Sequence, residues 1–173
     1  MIIKEPKWKS WVVETTTPLF TPEQCQKIID AGRRQQPQKA QVGMGKPGGG
    51  LDTNKRTTTI SWIPFKEMPE MYTDLNNFIQ RANLNHFGFG DIQITEQAQF
   101  TEYPEGGFYD WHMDCDVNMA HEPPVRKISM TLLLNHESQF EGGELELMAP
   151  GKKAKLSQGH AITFASFLNH RVA

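Results

Sequence analysis

The sequence predicts a mainly β fold with flanking helices, a sandwich or barrel of short strands, on three observations. After about Ile92, short apolar or β-branched runs follow one another at the spacing of an all-β sandwich or barrel. Turn residues divide them at Pro104-Glu105-Gly106-Gly107, Asn135-His136-Glu137, Pro150-Gly151 and Gln158-Gly159. Helical signals are confined to the first half, which argues against a βαβ layout.

Taken in order, Trp11-Val12-Val13 reads as a first short strand. Thr21-Pro22-Glu23-Gln24 starts a helix, because Thr21 can cap, Pro22 fits the first turn and Gln24 completes a capping box. Ile28 and Ile29 supply its apolar stripe, and it runs to about Arg34. Segment 41–54 is glycine-rich without periodicity and reads as a mobile loop. Segment 57–63 is β-branched and contains Trp62, a strand signal. A second helix is expected over 69–82, with Met71, Leu75, Phe78 and Ile79 on one face. Further strands are expected at 92–101, 108–114, 127–134, 143–148, 153–156, 161–164 and 168–172. No repeat or linker divides the chain, so residues 1–173 read as one domain.

The bulk numbers bound the function class. Hydrophobic residues make up 38% and charged residues 22%, an ordinary soluble balance. No stretch approaches the ~20 apolar residues of a membrane span, and the start lacks the apolar core of a secretory signal. Two cysteines, Cys25 and Cys115, make no disulfide framework and read as reduced thiols of a cytoplasmic protein. A net charge of −2 argues against a nucleic-acid partner.

Chemistry concentrates in Asp110-Trp111-His112-Met113-Asp114. On a strand, His112 and Asp114 share a face, since side chains alternate with period two. Such a triplet also occurs by chance at solvated strand ends. Asn169-His170, near the end of the last strand, adds weight, because a late strand of an antiparallel jelly roll can return beside an early one. Two histidines and one carboxylate form the facial triad of non-haem iron sites, which leaves coordination positions open. His160 is the rival third ligand, while His86, His121 and His136 read as surface or turn histidines. Asp116 shares parity with the pair and could line the mouth of the site. Two histidines and a carboxylate also suit the catalytic zinc of a hydrolase, although no His-Glu-x-x-His is present. A non-catalytic jelly-roll binding module stays open too. Gly43-Met44-Gly45-Lys46-Pro47-Gly48 formally fits Gly-x-Gly-x-x-Gly but opens no helix, so it reads as a lid and not as a dinucleotide site.

The motifs then occur in a familiar order. Tyr103-Pro104-x-x-Gly107-x-Tyr109-x-x-His112-x-Asp114 is followed by Arg126-x-x-Ser129 leading to Leu134-Asn135. Glu141-Gly142-Gly143-Glu144-Leu145 comes next, then Gly159-x-x-x-x-Phe164 and His170. This order resembles the 2-oxoglutarate- and iron(II)-dependent prolyl hydroxylases, in particular small bacterial and phage relatives of the oxygen-sensing and collagen prolyl 4-hydroxylases. Arg56-Thr57-Thr58-Thr59-Ile60-Ser61-Trp62-Ile63 looks like the strand that precedes the core in that family.

The resemblance implies a double-stranded β-helix (jelly-roll) core and a dioxygenase. It implies that the enzyme hydroxylates a prolyl residue at C4 in a peptide or protein, releasing succinate and carbon dioxide. His112, Asp114 and His170 would hold iron(II), with no catalytic residue beyond these ligands. Tyr103 would donate to the distal carboxylate of 2-oxoglutarate, with Leu133 and Leu145 walling that pocket. Tyr109 and Arg126 would face the peptide, and ascorbate would serve as reductant. Such enzymes usually carry an Arg or Lys on the strand after the distal histidine, where it pairs with the co-substrate carboxylate. The chain ends at Ala173, so that strand is expected to be truncated, and Arg171 is expected to point away from the site.

Overall fold

The computed structural model describes residues 10–40, 52–115 and 125–173. Most of the glycine-rich loop, including Gly43 to Gly48, lies outside the described residues, as do Asp116 and His121. The elements run β1 (Val12–Glu14), α1 (Pro22–Arg34), β2 (Gln38–Lys39), β3 (Thr59–Ile63), α2 (Pro69–Ala82), β4 (Ala98–Glu102), β5 (Tyr109–His112), β6 (Ile128–Leu132), β7 (Leu145–Leu147), β8 (Ala161–Ala165) and β9 (His170–Val172). No helix among them is long and apolar enough to cross a membrane.

Helix α1 begins where local chemistry sets it. At α1 the Thr21 hydroxyl accepts from the Gln24 amide at 3.2 Å, and the Gln24 side chain accepts from the Thr21 amide at 2.8 Å. This reciprocal box satisfies two of the donors that a helix start leaves orphaned. On α2, Met71, Tyr72 and Leu75 are buried while Phe78 and Ile79 are only half-buried, so the buried face is rotated from the expected one toward Tyr72. The Tyr72 hydroxyl donates to the carbonyl of Ile63 and accepts from the Ala98 amide, tying α2 to β3 and β4.

Among the described residues nine strands form three antiparallel sheets, ordered β1-β8-β6, β2-β3-β4 and β5-β9-β7. Register assigns the faces of the first sheet. Val12 and Ser129 both oppose Phe164, and Thr131 opposes Ile162, so these side chains share one face. That face meets Leu145 and Leu147 of β7, forming a core with Ile162 and Phe164 against which Val12 and Val172 pack. Met130 and Leu132, on the other face of β6, pack instead against the core built by α1, α2, β3 and β4. The first and third sheets are therefore the two walls of a jelly roll, and the helices cover the outer face of one wall.

Three expectations need correction. The jelly roll does not arise only after residue 92, because β1 pairs with β8. Segment 153–156 forms no strand, only an isolated bridge between Lys153 and Glu146. Residues 92–97 are irregular, so β4 is half as long as predicted. β-Branched residues mark half-buried surface, and which neighbour extends a strand is decided by chain segments far away in sequence. Cys25 and Cys115 are not joined in a disulfide.

Close packing gives this region a test. Gly32 lies inside α1, where alanine normally stabilises by about 1 kcal/mol. Here a Cβ would sit 2.2 Å from Cγ of Phe100, well inside contact distance. Gly32→Ala is therefore expected to destabilise the fold by about 1–3 kcal/mol, as overpacking does. Urea unfolding of Gly32→Ala, and of Gly32→Ala combined with Phe100→Leu, checks both the sign and the rescue.

Candidate metal centre

The site lies inside the jelly roll, where β5 and β9 run side by side. His112 and His170 are directly opposed in the register of that antiparallel pair. Their rings accordingly meet, with centroids 4.1 Å apart. Asp114 lies just past the end of β5 and not within a strand as expected. Its position is instead set by hydrogen bonds, since the amides of Asp114 and Cys115 both donate to the carbonyl of Ser166 at 3.0 Å.

Each imidazole is fixed in one tautomer. Nδ1 of His112 lies 2.8 Å from the carbonyl of Asp110, and Nδ1 of His170 lies 2.9 Å from the carbonyl of Leu168. A carbonyl only accepts, so Nδ1 carries the proton in both rings and each Nε2 presents a lone pair. Those Nε2 atoms lie 3.7 and 3.8 Å from the two Asp114 oxygens. One ligand atom from each of the three residues falls within 4.8 Å of the others, the one such cluster among the described residues. Ligands sharing one octahedral face of an ion at about 2.1 Å lie about 3 Å apart, so a small inward movement suffices. The donor set, two neutral imidazoles and one carboxylate, fits a divalent transition metal. Carbonyl-oriented imidazoles are also the usual outer support of such sites.

The surroundings hold these groups still. Tyr109 stacks on His112 with centroids 3.5 Å apart, and Phe164 meets His170 edge-on at 4.7 Å. Ser129 donates to Oδ2 of Asp114 at 2.5 Å, and Nη1 of Arg126 lies 3.5 Å from the same oxygen. The other end of Arg126 donates to Glu96. Burial, and next the charge of His170, push the His112 pKa down to about 4. Burial also pushes the Tyr103 phenol up to about 12, although Arg56 works against the rise.

The structure brings His112, Asp114, His170, Tyr109 and Arg126 together. It leaves His160 out, since Nδ1 of that ring is 3.2 Å from the Thr15 hydroxyl and 3.1 Å from its carbonyl. His136 caps the short helical turn Glu137–Gln139. Arg171 points away as expected, bonding Glu146 at 2.7 Å and lying over the Trp111 ring. Leu145 is a core residue of the inner face, and Leu133, just past β6, continues the parity of Ser129 and Thr131. Sequence reasoning gave no role to Ser129, Ser166 or Arg56. Ser129 was visible inside a motif, whereas Ser166 acts mainly through its backbone and left no side-chain signal.

Residues 98–173 match the family model of the 2OG-Fe(II) oxygenase superfamily, a span that contains all three candidate ligands. A PKHD-type hydroxylase of Colwellia psychrerythraea (strain 34H / ATCC BAA-681) is 31% identical over 134 residues, which covers 74% of this chain and 58% of that protein. The chain thus spans under two thirds of the length of the curated relatives it matches. A viral collagen prolyl hydroxylase of Paramecium Bursaria Chlorella virus-1, solved as a 2OG complex, superposes with a TM-score of 0.72 at 17% identity, covering 95% of this chain and 88% of that one. A prolyl hydroxylase of Trichoplax adhaerens, solved with a hypoxia inducible factor peptide fragment, gives 0.70 at 17% identity, covering 95% and 77%. These two likenesses show that the chain has the fold of those two proteins.

The depressed His112 pKa has a consequence for the metal-free protein. An imidazole whose folded pKa lies below its unfolded value of 6.5 binds a proton more readily in the unfolded chain. Stability present above pH 6.5 is therefore lost as pH falls toward about 4. Thermal melts of chelator-treated protein between pH 7 and pH 4.5 are expected to show this decline, and His112→Asn is expected to flatten it.

Proposed function

We propose that this chain is an iron(II)- and 2-oxoglutarate-dependent dioxygenase that hydroxylates a prolyl residue at C4 in a peptide or protein. The observation that carries the reading is the convergence of two tautomer-fixed imidazoles and one carboxylate on a single point inside a jelly roll. The kinship with PKHD-type hydroxylases supports hydroxylation, and the peptide complex of a relative of the same fold supports a peptide substrate.

In this reading His112, Asp114 and His170 hold the iron. Bound iron(II) with 2-oxoglutarate supplies dioxygen activation, giving one oxygen atom to the substrate as hydroxyl and releasing succinate and carbon dioxide, with ascorbate as the maintaining reductant. The chain's own residues do the rest. The carbonyls of Asp110 and Leu168 keep both Nε2 lone pairs aimed inward, and low basicity keeps His112 unprotonated and ready to bind at neutral pH. Ser129 and Arg126 engage Oδ2 of Asp114, leaving Oδ1 to the ion. The Tyr103 phenol stays protonated and donates to the co-substrate, and the Leu133 and Leu145 side chains keep water from it. Tyr109 lines the substrate side of His112.

The test is incubation of proline-containing peptides and host-lysate proteins with the chain, iron(II), 2-oxoglutarate and ascorbate. Mass spectrometry is expected to find one added oxygen on proline, matched by succinate, and neither with His112→Ala. Succinate formation coupled only to oxidation of a free small molecule would sink the prolyl-peptide assignment.

A further inference from the structure

The two oxygens of Asp114 meet the imidazoles almost alike. Oδ1 lies 3.7 Å from Nε2 of His112, and Oδ2 lies 3.8 Å from Nε2 of His170. Judged by the imidazoles alone, an ion held between the three groups could be gripped by either oxygen or by both. Carboxylates bind metal ions in both modes, and the two-oxygen mode fills an extra coordination position.

A chain of hydroxyls separates the two oxygens. Ser129 donates to Oδ2 at 2.5 Å, and its own oxygen lies 3.2 Å from that of Ser166. A hydroxyl has a single hydrogen. With the Ser129 hydrogen on Asp114, the Ser166 hydrogen is the one that joins the serines, so the chain runs one way, from Ser166 to Ser129 to Oδ2. Neither serine is free to turn aside. Ser129 is 6% exposed and opposes Phe164 in the register of β6 and β8, and Ser166 is fully buried with its amide and carbonyl both engaged. Bonds to a charged acceptor are the stronger kind, and each bond of such a chain polarises the next. Nη1 of Arg126 stands 3.5 Å from the same oxygen, but that guanidinium also serves Glu96.

We propose that Ser129, oriented by Ser166, is the positioning residue that restricts Asp114 to one-oxygen coordination and thereby keeps a third position of the ion open. The inference rests on the metal-centre reading and deepens it by naming what sets the number of open positions. A keto acid that binds through two atoms, together with dioxygen, needs three. Without the Ser129 hydroxyl, Oδ2 is released to turn onto the ion and fill one of them.

The test counts water on manganese(II), used as the probe ion with no co-substrate added. Each exchanging water on that ion speeds the relaxation of bulk water protons, so relaxivity reads the number of open positions. Wild type is expected to hold about three such waters, Ser129→Thr the same number, and Ser129→Ala about two. Affinity is expected to move opposite to damage. Ser129→Ala binds manganese(II) as tightly as wild type or up to about tenfold tighter, because a second carboxylate oxygen joins the shell. A serine that only supports the fold would give weaker binding in Ser129→Ala with the water count unchanged, and that result overturns the proposal. A count of about two in wild type also overturns it, and that measurement needs no variant to fold. Ser129→Cys, which keeps the volume and weakens the donor, gives a second comparison in which the count is again expected to fall. Failure of wild type to bind manganese(II) at all overturns the metal-centre reading and this inference with it.

Discussion

One buried serine governs the centre. The carbonyl of Ser166 accepts the amides of both Asp114 and Cys115, its own amide donates to the carbonyl of Lys127, and its hydroxyl lies 3.2 Å from that of Ser129, to which it donates because the Ser129 proton goes to Asp114. It is fully buried, so these bonds are made where an unmet polar group costs most. Through them the turn after β8 fixes where β5 ends, where β6 begins and where the Asp114 carboxylate lies. The His112–His170 pairing of β5 and β9 then needs only the ordinary antiparallel register to bring three ligands to one point. Shape and chemistry are thus set by the same few bonds, made by main chain more than by side chains.

Charge is handled differently on the two faces of the β5-β9-β7 wall. On the outer face Glu146 and Arg171, opposed in register, form a close pair beside the Trp111 ring. That pair holds the Glu146 carboxyl below its usual range and joins β7 to β9. On the inner face Asp114 has Arg126 and Ser129. The inner face carries the three inward ligand atoms.

Much of this was legible in the chain. Thr21, Pro22 and Gln24 announced α1 because capping is local chemistry, and the Pro69–Ala82 helix followed from its apolar spacing. His112 and Asp114 were readable as a pair, though for a partly wrong reason, since a hydrogen-bonded turn and not strand parity positions the aspartate. His170 needed the order of motifs, as no local rule says which late strand returns beside β5. What stayed hidden was non-local. Nothing around Val12–Glu14 reveals that it will pair with β8, some 150 positions later.

The central claim is that His112, Asp114 and His170 together bind one iron(II). X-ray absorption spectroscopy of the anaerobically iron(II)-loaded chain tests it most directly. The account predicts a six-coordinate nitrogen- and oxygen-ligated iron whose outer-shell scattering fits two imidazoles, falling to one in His170→Ala and staying at two in His160→Ala. Scattering that fits no imidazole, or a second imidazole lost with His160 and retained without His170, would contradict it.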